Sequence, residues 1–141
     1  MNIIRRGNRK PASRLGASAV EFALIAPLMI LFTFGLVELG RLMLVKQTAT
    51  HATREGARIA VRPLADSNDV IERVNEELAL LAIENATIET VPATLEDAEP
   101  GSQVTVRVRV DIASVSWIPG FFDFNATEIV AESSMRREST N

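Results

Sequence analysis

One uninterrupted apolar run constrains this chain more than any other feature. From Phe22 to Val37 no side chain carries a charge, and widening the stretch to Leu15 and Leu39 admits only Glu21 and Glu38. About 20 predominantly apolar residues cross the roughly 30 Å of a bilayer's hydrocarbon. A core helix of a water-soluble domain would need protein on all sides, and the roughly 80 to 100 residues left over are too few to wrap one this long. The run therefore reads as a membrane-spanning helix.

Charge orients it. All five charged residues among the first 20, Arg5, Arg6, Arg9, Lys10 and Arg14, are positive, whereas the rest of the chain sets ten basic residues against 18 acidic ones, a balance of −8. A basic leader stays in the cytoplasm and the acidic bulk crosses. That bulk would repel nucleic acid and anionic lipid, which argues against a DNA-binding role. A cleaved secretory signal would place its small residues after the apolar run. Here Gly16-Ala17-Ser18-Ala19 precede the run, and Glu38-Leu39-Gly40-Arg41 follow it. The helix is expected to be retained.

Beyond the run, Leu36, Leu39, Leu42, Met43 and Val45 continue without a turn signal. One long helix is expected over residues 17–62, with Pro27 loosening it inside the span, which bilayer helices tolerate. At 1.5 Å per residue it would be roughly 69 Å long. Gly35, Gly40 and Gly56 are candidate close-packing positions against other helices. The alternative for the stretch around Gly56 is an ordinary solvated helix, with Glu55 and Arg58 forming a local i,i+3 pair. The lone His51 on that stretch is expected to face solvent.

Pro63 and the following polar residues end the long helix, so residues 63–141 form a separate small head after a leader (1–16) and the long helix (17–62). Asp66 or Ser67 caps an amphipathic helix, with Val70, Ile71, Val74, Leu78 and Leu81 on one face, that runs to about Ala82. Ala86 to Val91 reads as a strand, and the proline, glycine and acids after it as an exposed turn region. Gln103 to Ala113 alternates most clearly, with Val104, Val106, Val108, Val110 and Ile112 on one face. A last strand spans Thr127 to Arg137. If it pairs antiparallel with its predecessor, Glu128 and Glu132 face Arg107 and Arg109. The fold class is thus α+β: a long transmembrane helix continuing into a head in which an amphipathic helix packs on a roughly three-stranded antiparallel sheet.

Between the last two strands, residues 115–125 gather Trp117, Phe121, Phe122 and Phe124, four of the chain's seven aromatics. Such a concentration either completes the small core or forms a partner-facing loop, in which Trp117, Phe121 and Phe122 would dock on a neighbour, a membrane or a surface. The chain lacks cysteine and has one histidine, so no thiolate site, cysteine nucleophile or histidine-based metal centre is expected. No catalytic constellation is visible, and the chain reads as a non-enzyme without cofactor or metal.

Glu21 needs an explanation. A carboxylate at the bilayer centre costs about 2.5 to 3.5 kcal/mol on insertion scales, less near the interface. It either snorkels as part of a first helical turn, where the dipole favours negative charge, or meets a neutralising partner. The stretch Gly16-Ala17-Ser18-Ala19-Val20-Glu21-Phe22 resembles the processing site of type IV pilin-like precursors. In that family a prepilin peptidase cuts after the glycine, here between Gly16 and Ala17. Glu21 then becomes the fifth mature residue and is paired with the α-amino group of a neighbouring subunit, with Phe22 beside it in the assembly segment. The blocks "AVEFALIAPL", "FGLVELGRL" and "ATREGARIAV" are similar to those of the TadE-like family, over about residues 14 to 62 and more loosely at "ATEIVAESSMRRE". The resemblance implies a minor pilin or pseudopilin of a tight-adherence (Flp) pilus, serving attachment or secretion. Its implied partners are the prepilin peptidase, other pilin-like subunits, the inner-membrane assembly machinery and membrane lipid. Its implied location is the bacterial inner membrane, with the head periplasmic or extracellular. The alternative is an uncleaved single-pass anchor carrying an extracytoplasmic binding module.

Overall fold

The computed structural model describes residues 12–95, 98–118 and 127–138, with side chains from Gly16 onward. Helix α1 runs Ala12–Ala60 without a break and contains Pro27. It is followed by α2 (Ser67–Ala79), β1 (Ala86–Val91), β2 (Gln103–Asp111), the single turn α3 (Ile112–Val115) and β3 (Glu128–Arg136). The chain divides into two compact units, the first ending at Leu36 and the second beginning at Val37.

In the second unit the three strands form one open antiparallel sheet in the order β1-β2-β3. Its register sets Ala86 opposite Val110 and Val91 opposite Thr105 on one side, and Gln103 opposite Arg136 and Asp111 opposite Glu128 on the other. Central β2 sorts its side chains by the period-2 rule. Val104, Val106, Val108 and Val110 are fully buried. On the other face Arg107 meets Glu132 at 2.9 Å, and Arg109 lies between Glu128 at 3.7 Å and Glu89 at 3.6 Å. The charges that the alternation placed opposite each other do pair.

Helices cover the valine face. Val70, Val74 and Leu78 of α2 join the same cluster as Val45, Ala49, Ala52, Ala57 and Ala60 of α1. Val70, Val74 and Leu78 pack as the periodicity required, but Ile71, expected on the same face, is 37% exposed at its edge; the later turns of α1 join the three in the core. The α1 stripe is mostly alanine, and small side chains bring a helix backbone close to a sheet. Asp66 caps α2 in a full capping box with Asp69, which satisfies N–H groups that the first turn leaves orphaned.

Three expectations need correction. The helix α2 stops at Ala79, not Ala82, and Ala82 takes a left-handed backbone with φ of 53°. The strand β2 stops at Asp111, not Ala113, because the Asp111 carboxylate accepts the Ala113 N–H at 3.0 Å and starts α3. The segment after β1 is not simply an exposed turn: Leu95 is fully buried and Ala98 nearly so. Arg137 fastens that loop by donating to the Leu95 carbonyl, and Ser67 Oγ donates to the Ala93 carbonyl at 3.0 Å.

Candidate assembly site

The first unit presents one stretch of α1, and from Val20 onward its large side chains face outward. Phe22 is 73% exposed and Leu24 74%, and Leu28, Phe32 and Phe34 are also exposed. The most apolar stretch of the helix has a mean hydropathy of 2.2, yet only 6% of it is buried. A core helix of a soluble protein would be the reverse. Among the described residues there is thus one helix, near the N-terminus, long and apolar enough to span a membrane. Within that stretch Thr33 satisfies its hydroxyl internally, Oγ1 donating to the Met29 carbonyl one turn back at 2.8 Å.

Gly16 and Ala17 lie on this helix and are exposed, and a methyl group at Gly16 would meet nothing within 4 Å. Glu21 is likewise exposed. It makes no ion pair or hydrogen bond with any other described residue. Gly16, Glu21 and Phe22 thus share one accessible helical segment, with a carboxylate that the described chain itself leaves unsatisfied.

The three glycines differ. Gly35 is buried, whereas Gly40 is exposed with open space around it. Gly56 is buried in the second unit, where an added Cβ would stand 2.6 Å from Val74 Cγ2 and 3.4 Å from both Val70 and Val106. The close approach at Gly56 is therefore to side chains of the same chain. Its neighbours Glu55 and Arg58 form the local pair at 3.3 Å. His51 is exposed, and its Nδ1 lies 3.3 Å from Glu77, which also takes a hydrogen bond from Arg73. The hydrogen bond that Arg73 donates to Glu76 raises the Arg73 pKa above the ordinary arginine value, and the charge of Glu77 adds to it.

A second polar cluster carries no short motif and escaped sequence reasoning. Glu38 is 3% exposed. Its carboxylate accepts from Ser116 Oγ and, at 3.3 Å, from the Trp117 N–H. One turn on, Arg41 donates to the Val115 carbonyl and lays its guanidinium 4.9 Å from the centre of the Trp117 ring. Two residues of α1 thus hold three consecutive residues at the start of the aromatic segment. Trp117 as a whole stays 65% exposed. Phe121 and Phe122, the other members of the expected partner-facing loop, lie outside the described residues. The only sequence signal for the cluster was an acid and a base three apart where the apolar run ends.

Among the described residues no group of histidines, cysteines and carboxylates is arranged to hold a metal ion. Comparison with family models matches residues 16–58 to TadE-like protein, the stretch that carries the resemblance. Neither the curated proteins nor the solved structures provide a match.

Proposed function

We propose that this chain, a TadE-like protein across residues 16–58, is a minor pilin or pseudopilin of a tight-adherence pilus. Its span would anchor it in the inner membrane, with the basic leader cytoplasmic and the head outside. A prepilin peptidase would cut between Gly16 and Ala17. The released α-amino group and Glu21 would then be the matching charges by which one subunit registers against the next.

The observation that carries this reading is the state of Glu21. An exposed, unpartnered carboxylate lies on an otherwise apolar helix, five residues after an unobstructed glycine. Within a membrane that group costs free energy unless something neutralises it, and a neighbouring subunit's amino terminus has the right charge. A plain anchor has no such need.

The mass of the intact protein and of its amino-terminal peptide, taken from its host's membranes, tests the cut. A mature chain beginning at Ala17 is expected; one retaining residues through Gly16, in cells with active peptidase, would favour the uncleaved binding module. Glu21→Ala tests assembly. The variant should enter the membrane normally and abolish pili, and normal pili from it would remove Glu21 from the mechanism.

A further inference from the structure

The buried carboxylate of Glu38 has no part in that scheme. It stands where an apolar helix should be meeting water, yet its charge is withdrawn into the protein by Ser116 and the Trp117 N–H. With Glu38 hidden, the outward surface of α1 stays apolar past it. Leu36, Val37 and Leu39 are exposed, as are Met43 and Leu44. The first accessible charge after Glu21 is therefore Arg41, whose guanidinium lies over an exposed indole.

The spacing has a physical meaning. The twenty residues from Phe22 through Arg41 rise about 30 Å as α-helix, which is about the thickness of the hydrocarbon. Glu21 and Arg41 then fall at opposite interfaces. Tryptophan is the side chain best suited to that layer, with an apolar ring and one polar N–H. Arginine places an aliphatic stem in lipid and its charged end among headgroups. Both occur here stacked on each other, with Arg41 at the end of the apolar run in sequence.

We propose that Trp117 and Arg41 form an interfacial seat for the lipid bilayer at the start of the aromatic segment. Glu38 is the positioning residue: its two hydrogen bonds fix residues 116 and 117 against α1. The seat rests on the membrane-spanning reading of α1 and is independent of cleavage after Gly16.

Trp117 is the only tryptophan, and the chain has no tyrosine, so its fluorescence reports on this seat alone. The full chain would be reconstituted in phosphatidylcholine vesicles doped with dibrominated phosphatidylcholine, and recovered by flotation. Expected are co-flotation, emission shifted to the blue of free tryptophan, and loss of intensity that is greatest with bromines placed near the carbonyl end of the acyl chain. Aqueous iodide should quench it weakly. Co-flotation with full quenching by iodide and none by bromolipid would overturn the seat, since the ring would then stand in water. Shielding from both quenchers would overturn it too and assign the ring to a protein contact, such as a second copy of the chain. Failure to float at all would instead refute the membrane-spanning reading itself.

Discussion

The two ends of α1 are one helix with two kinds of apolar surface. Near its start Val20, Leu24, Leu28 and Phe32 are each more than half exposed. Near its end Val45, Ala49, Ala52, Ala57 and Ala60 are buried with the valines of β2. An apolar surface of the first kind would be an interaction site in water, and as a membrane span it needs no protein cover. The second kind is a narrow stripe at helical spacing, built mostly of small residues, as suits a backbone that must come close to a sheet. Secondary structure alone does not distinguish them. Side-chain size and the width of the apolar face do.

The largest effect should come from the same truncation made on either side of this divide. Leu78, fully buried in the cluster that α1 joins, should lose about 2 to 5 kcal/mol of head stability as Leu78→Ala. Leu28 is 64% exposed, and Leu28→Ala should leave that stability unchanged. Urea unfolding of the full chain in detergent micelles, followed by amide exchange in β2, measures both. Equal losses would mean that the two ends of α1 share one core, and the comparison would fail.

Glycines sharpen it. At Gly56 a methyl group would stand 2.6 Å from Val74 Cγ2, and a β-branched side chain cannot swing aside freely. Gly56→Ala should therefore cost about 1 to 3 kcal/mol, partly offset by the better helix propensity of alanine. Gly40 has nothing within 4 Å, so Gly40→Ala should be neutral or stabilising by up to about 1 kcal/mol. The same unfolding experiment reads both signs, and a stabilising Gly56→Ala would show that Val74 yields.

What could be read from the sequence follows the range of the interactions. The span, the glycine and acid at its start, a cap at Asp66 or Ser67 and the alternation of β2 are local patterns. So is the pairing of Arg107 with Glu132, once two strands are placed antiparallel. Leu95 was hidden in a loop rich in proline and acids because its burial depends on contacts far along the chain, Arg137 among them. The end of β2 was missed because Ile112 continues the alternation while the Asp111 side chain competes for the backbone. In the candidate site, Gly16 and Glu21 were legible as a short motif. The Glu38 cluster joins residues 78 and 79 positions apart, and no local pattern encodes that. The alanine stripe at Ala49, Ala52, Ala57 and Ala60 carries no strongly apolar signal of its own, so its place as one wall of a core shows only in the fold.

The second helix gives a smaller test. Asp66 accepts from the backbone N–H groups of Asn68 and Asp69, and Asp66→Ala should cost about 1 kcal/mol. Because α2 supplies the partners of Gly56, its first turn should exchange amide protons faster in this variant than in the wild type. Residues 20–34 of α1 have no such dependence on α2, so their exchange should stay as it was. Faster exchange there would tie the exposed half of α1 to the stability of the head.

The smallest effect belongs to the outer surface of the core half. Arg58 reaches Glu55 at 3.3 Å, and the arginine side chain is 64% exposed, so water and salt screen most of the attraction. Glu55→Gln keeps the shape and removes the charge, and should cost only about 0.2 to 0.5 kcal/mol, shrinking further in high salt. The wild-type minus variant difference in urea midpoint, measured at low and high ionic strength, decides it. A loss above about 1 kcal/mol that resists salt would mean that this face is covered rather than solvated. The later half of α1 would then be enclosed on two sides, and its contrast with the exposed first half would be sharper than the described contacts make it.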